Sequence, residues 1–219
     1  MGFTHGWLPK IYPILDSSTI PDIGRLAFLD RLGRSLADAG VRLLEYRNKG
    51  GTDAEVFADA QVLRAAMATG QVKLIMDDRV DVALAAGFDG VHVDAGDLPP
   101  EQARRLMEIA GPGRIVGTSA GGEAGLLEAL AEPVDYVAFG PVFPTTTKQT
   151  SAAPIGVEGV RRFRQAAGPE PLLVAAAGIT LETASEVLAA GADAVAVSAA
   201  LFRTDDPAVE FRRWIAVLG

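Results

Sequence analysis

The sequence predicts an α/β chain folded as a single (β/α)8 barrel, and three observations carry that prediction. Strand-sized apolar runs alternate with amphipathic helical stretches from one end to the other. Eight such pairs fit into 219 residues, the economy of a closed parallel barrel. No linker, low-complexity tract or charge block divides the chain, so residues 1–219 read as one domain with residues 1–10 as a short extension. A doubly wound open sheet is the alternative. It usually carries a Gly-rich loop after its first strand, whereas this first strand leaves through Asp16-Ser17-Ser18-Thr19.

In chain order the expected strands are residues 11–17, 42–49, 73–79, 90–93, 114–120, 134–140, 172–178 and 194–200. Between them lie stretches with apolar residues at three- and four-residue spacing, as in RLAFLDRLGRSLADAG, PPEQARRLMEIAG, TLETASEVLAAG and DPAVEFRRWIAVLG. Gly40, Gly111 and Gly191 are natural helix stops, and Thr180 and Asp206 natural N-caps.

Composition excludes several chemistries. The chain has no cysteine, hence no disulfide framework, thiolate metal site or cysteine nucleophile. A net charge of −8, without a basic block, argues against nucleic acid as a partner. The apolar runs are strand-sized or broken by charge, so neither a signal segment nor a membrane span is expected, and the cytoplasm is the default location. Self-association is left open.

In such a barrel, chemistry gathers at the C-terminal strand ends. Strand 2 ends Glu45-Tyr46-Arg47-Asn48-Lys49, and alternation puts Glu45, Arg47 and Lys49 on one face and Tyr46 on the other. Either these charges face water, or two cations converge on an anion. Strand 3 ends Asp77-Asp78-Arg79 and Asp97 follows strand 4, so carboxylates from adjacent strands can share Mg²⁺. Asp77 or Asp78 also suits the cap of the next helix. His92, within strand 4, reads as a core residue with satisfied nitrogens.

Ser119 after strand 5 suits a phosphate oxygen, with no carboxylate or histidine close in sequence to activate it. After strand 6 comes GPVFPTTTKQT, where Thr145, Thr146, Thr147 and Lys148 suit phosphate oxygens or simply a solvated turn. Gly178 and Ser198 follow strands 7 and 8, where barrels often bind phosphate. Two anion sites and a metal suggest small phosphorylated substrates.

The segments EYRNK, DDRVDVALAAGFDGVH, GDLP, GTS, GPVFPTTTK, AGI and VAVSAALF, in this order, resemble the thiamine-phosphate synthase family over about residues 10–203. The resemblance implies an enzyme joining an aminopyrimidine methyl diphosphate to a thiazole phosphate, with pyrophosphate leaving first. By the same resemblance, Glu45 to Lys49, Asp77, Ser119 and Lys148 hold the pyrimidine diphosphate, and Asp78 and Asp97 ligate Mg²⁺. Thr145 to Thr147, Gly178, Val197 and Ser198 hold the thiazole phosphate. Arg47, Lys49 and Lys148 would stabilise the leaving charge. The chain departs from the family pattern at Glu45 (usually Gln), Asp77 (usually Asn) and Ala120-Gly121-Gly122. The related thiazole tautomerase branch carries a histidine after strand 5, which this chain lacks. A phosphate-binding paralogue without synthase activity is the other alternative.

Overall fold

The computed structural model describes residues 6–145 and 152–219. Eight parallel strands close into a barrel in the order β1 to β8, with β8 paired to β1. The strands are β1 Ile11–Asp16, β2 Leu43–Arg47, β3 Lys73–Asp77, β4 Gly90–Val93, β5 Ile115–Ser119, β6 Tyr136–Phe139, β7 Leu173–Ala176 and β8 Ala194–Val197. The open-sheet alternative is thereby excluded.

The helices are α1 Arg25–Asp38, α2 Asp53–Ala66, α3 Val80–Ala85, α4 Pro100–Ile109, α5 Gly122–Ala131, α6 Gly156–Ala167, α7 Leu181–Ala189, α8 Ala199–Phe202 and α9 Pro207–Leu218. Asp206 caps α9 by accepting from the Ala208 and Val209 amides, and Thr180 begins α7 with a reciprocal capping box. Asp77 and Asp78 do not cap α3: its N-cap is Arg79, without a side-chain bond.

Several strands are shorter than the sequence suggests, for a backbone reason. Asp78 (φ 62°) ends β3 and Ala177 (φ 71°) ends β7, both in the left-handed region that disfavours extension. β8 stops at Val197 because the next residues turn into the one-turn helix α8.

Two apolar cores share the sheet. Outward strand residues such as Leu44, Leu74, Val91 and Val195 pack under the helices. Inward residues such as Tyr12, Leu43, Ile75, Ile115 and Val174 fill the barrel, with Trp7 and Leu8 packed against them from the N-terminal side. The outer layer also holds one buried ion pair. Asp59 on α2, fully buried, accepts from Arg25 Nε at 2.9 Å and Nη2 at 2.7 Å and from the Tyr46 hydroxyl, joining α1, α2 and β2.

The Tyr136 ring fits the interior because its register partner on the neighbouring strand β5 is Gly117. A Cβ at Gly117 would lie 2.0 Å from the Tyr136 ring, so β5 must present glycine where that ring crosses. Gly117→Ala should therefore cost about 1–3 kcal/mol or more, measured as a lowered denaturant midpoint. Wild-type stability would show that the ring is not held against β5.

Candidate active site

A cavity of about 350 Å³ opens at the C-terminal strand ends. Its walls differ in chemistry. β1 to β6 contribute Tyr12, Glu45, Asp77, His92, Ser119 and Tyr136, while the opposite side is built from Ala138, Val174, Ala176 and Ala196. This division suits a flat heterocycle with a polar edge.

Four of the polar residues and Ser119 form one hydrogen-bonded chain. The Tyr12 hydroxyl donates to Glu45 Oε2 at 2.7 Å and lies 2.5 Å from the Tyr136 hydroxyl. That hydroxyl is 3.0 Å from His92 Nδ1, and His92 Nε2 is 3.0 Å from Ser119 Oγ. Glu45 is only 3% exposed. Burial pushes its carboxyl up to about 7, the His92 ring opposing the rise and Asp77 adding to it. Burial, then Glu45, holds both phenols far above their ordinary value. Burial disfavours a charged His92, yet Asp94, Glu45 and Asp77 outweigh it and raise the ring's pKa.

At the rim the cations already have anionic partners. Arg47 pairs with Asp16 and lies 3.4 Å from Asp77 Oδ2; Lys49 pairs with Asp78 and lies 3.3 Å from Asp77 Oδ2. The anion that reconciles the two cations is thus a cluster of the chain's own carboxylates. Burial, then Asp78, raises the Asp77 carboxyl despite those cations. Burial also raises Asp97, and the neighbouring Asp78 carboxylate adds to the shift. Asp78 Oδ1 is buried without a hydrogen-bond donor. Among the described residues no group of three or more acidic or histidine ligands gathers around one point.

On the opposite rim, Gly178 (φ 72°) would place a Cβ 2.6 Å from the Phe143 and Pro144 carbonyl oxygens. The β7 and β6 loops therefore touch there through backbone alone. Thr145 and Val197 border the same end, and Ser198 Oγ is buried with no hydrogen-bond partner.

The structure thus brings Glu45, Arg47, Asp77, Ser119, Thr145, Gly178, Val197 and Ser198 to one cavity, with Lys49 at its edge bridging Asp77 to Asp78 and Asp97 beside Asp78. It turns Tyr46 away, into the Asp59 and Arg25 network beneath the helices, as strand alternation requires. Asn48 bonds the Tyr46 hydroxyl, Ser17 and the Gly51 amide, so it shapes the loop rather than the cavity. Thr146, Thr147 and Lys148 lie outside the described residues. His92 has partners on both nitrogens, as expected, yet it also lines the cavity. Tyr12, Tyr136 and Asp16 carry no signal of their own in the sequence, although period-two counting along β1, where Ile14 pairs with Glu45, places Asp16 inward.

Comparison with known proteins agrees with this geometry. The family described as thiamine monophosphate synthase matches residues 11–201. A thiamine-phosphate synthase of Koribacter versatilis is 41% identical over 89% of each chain. That of Agrobacterium fabrum is 39% identical over 89% of this chain and 86% of its own. The solved thiamine phosphate pyrophosphorylase from Pyrococcus furiosus superposes with a TM-score of 0.79 at 31% identity, covering 98% of this chain and 99% of that one. With the whole barrel matched in sequence and in shape, the chain belongs to the thiamine monophosphate synthase family.

Proposed function

We propose that the protein is a thiamine-phosphate synthase-type transferase that joins an aminopyrimidine methyl diphosphate to a thiazole phosphate. The observation that carries this reading is the two-sided cavity, with Arg47 and Lys49 among carboxylates at one rim and a buried Ser198 hydroxyl at the other. In this reading the pyrimidine lies against Ala138, Val174, Ala176 and Ala196, its polar edge toward Glu45. Arg47, Lys49, Ser119 and Lys148 bind the diphosphate. Thr145, Thr146, Thr147, Gly178 and Ser198 bind the thiazole phosphate.

The reaction asks for charge stabilisation rather than a nucleophilic side chain. The methylene C–O bond breaks, its electron pair leaves with pyrophosphate, and the thiazole nitrogen captures the carbon. Arg47 and Lys49 stand where negative charge grows. Their carboxylate partners would oppose a polyanion, so the donor set at Asp78 and Asp97 matters. Two adjacent carboxylates, one with a buried oxygen lacking a donor, fit a hard divalent cation completed by water and phosphate. We assign them to Mg²⁺, which when bound supplies positive charge beside the diphosphate.

Glu45 fits as well, where the family usually has Gln. With a carboxyl held near 7 it is largely neutral below that pH, and a neutral carboxyl offers one donor and one acceptor, as an amide does.

The direct test is incubation of the protein with both phosphorylated substrates, with and without Mg²⁺, and detection of thiamine phosphate. EDTA should abolish turnover, and Asp97→Asn should raise the Mg²⁺ requirement. Full activity in metal-free buffer would remove the metal assignment.

Ser198→Ala should raise KM for the thiazole phosphate about tenfold, the worth of one hydrogen bond to a charged oxygen. Stability should stay within about 0.5 kcal/mol, because Ser198 Oγ has no protein partner to lose. An unchanged KM would move the phosphate elsewhere.

Glu45 also predicts a pH dependence of stability. Its folded value near 7 exceeds the usual 4.5, so the unfolded chain gives up this proton first as pH rises. The carboxyl therefore costs no stability below about 4 and progressively more up to about 7. The melting temperature of wild type minus that of Glu45→Gln should fall across that window and level off above it. A constant difference would show that the carboxyl titrates normally.

A further inference from the structure

The chain from Glu45 to Ser119 connects the two ends of one substrate. Glu45 is buried at the ring edge, whereas Ser119 faces the diphosphate in the reading proposed above, on which this inference rests. Between them the oxygen and nitrogen atoms follow at 2.7, 2.5, 3.0 and 3.0 Å without a gap.

We propose that this chain is a proton relay, in which Glu45 acts as a buried acid and Tyr12, Tyr136, His92 and Ser119 deliver its proton to the departing pyrophosphate. His92 and Glu45 compete for one proton; in the form with that proton on Glu45 and His92 neutral, the Glu45 O–H donates to Tyr12, Tyr12 to Tyr136, and Tyr136 to His92 Nδ1. His92 Nε2–H donates to Ser119, and Ser119 to a bound phosphate oxygen. As the methylene C–O bond breaks, its electron pair stays on pyrophosphate and each proton moves one place along. Pyrophosphate gains one proton, Glu45 becomes a carboxylate, and every intermediate group ends neutral. The charge left behind is useful: a carboxylate now faces the ring that has become cationic. After capture by the thiazole and release of pyrophosphate, solvent restores the proton.

Three observations support the relay. The phenols are held far above their ordinary pKa, so they pass a proton without keeping a charge. The Glu45 carboxyl, near 7, is a donor matched to neutral pH. β7 and β8 offer no rival donor at the ring, where they present Val174, Ala176 and Ala196. The charged and titratable groups around Glu45 are Tyr12 and Asp16 from β1, Arg47 from its own strand, Asp77 from β3, His92 and Asp94 from β4 and its loop, and Tyr136 from β6. Asp94 lies 3.4 Å from His92 Nε2, farther than Ser119 at 3.0 Å.

Tyr12, Tyr136 and His92 act through their neighbours as positioning residues, so the test separates proton delivery from folding and binding. In single-turnover experiments with the pyrimidine diphosphate and thiazole phosphate, Glu45→Gln and Tyr12→Phe should each lower kcat about 10²-fold, with KM for the diphosphate nearly unchanged. Wild-type kcat should fall as pH rises through about 7, and that limb should be absent in Glu45→Gln. A solvent deuterium isotope effect on wild-type kcat should vanish in both variants. Glu45→Gln keeps the side-chain shape, so it reports even if Tyr12→Phe fails to fold. Wild-type kcat or an intact alkaline limb in Glu45→Gln would overturn the relay while leaving the synthase reading standing. Absence of thiamine phosphate from the wild type would overturn both.

Discussion

A polar chain sealed inside a closed barrel is the constraint on which the rest of this structure depends. Tyr12 and Tyr136 come from strands on opposite sides of the axis and meet at 2.5 Å between hydroxyls. Neither phenol has water to turn to, so each must be satisfied by a neighbour's side chain. That requirement recruits Glu45 on one side and His92 on the other, and leaves Gly117 as the residue that admits the Tyr136 ring. The site is therefore not a set of loops decorating an inert scaffold. Its floor is the upper layer of the barrel's own packing.

Charge placement follows from the same confinement. A site for two phosphorylated molecules would be expected to bristle with cations, yet Arg47 and Lys49 are held by Asp16, Asp77 and Asp78. Unpaired cations at this depth would repel each other and carry a desolvation cost, so the ligand-free protein neutralises them internally. In the proposed reading, entering phosphates exchange partners with these carboxylates, and binding is thereby linked to cation uptake at the displaced acids. Backbone strain marks the same places: Asp78 and Ala177 adopt left-handed conformations at the two rims, each costing about 1–3 kcal/mol.

Much of this was legible in the sequence. All eight strands and the inward parity of Glu45, Arg47 and Asp77 follow from apolar alternation, because each strand buries a fixed face. What alternation cannot give is which strands face each other across the axis. Tyr12 and Tyr136 look like ordinary apolar-run residues until the barrel closes and sets β1 against β6. Tyr46, next to two site residues, is turned outward by the same parity, where Asp59 and Arg25 supply the partners its hydroxyl needs. Helix α8, with four residues, is too short to show a helical period. The ends of β3 and β7 were overrun because left-handed backbone at Asp78 and Ala177 leaves no mark in residue type.

The floor of the barrel, opposite the site, joins the lead-in of β1 to α9. Trp7 packs against Tyr136 from below, and the Lys10 ammonium donates to the Leu218 carbonyl at 2.7 Å, joining the lead-in of β1 to the last turn of α9. These two segments are therefore neighbours on the floor. A peptide joining the last turn of α9 to the lead-in of β1 would let the chain be reopened at another floor-side helix-to-strand loop. Every strand end that builds the cavity would remain uncut, because those loops all lie on the other face.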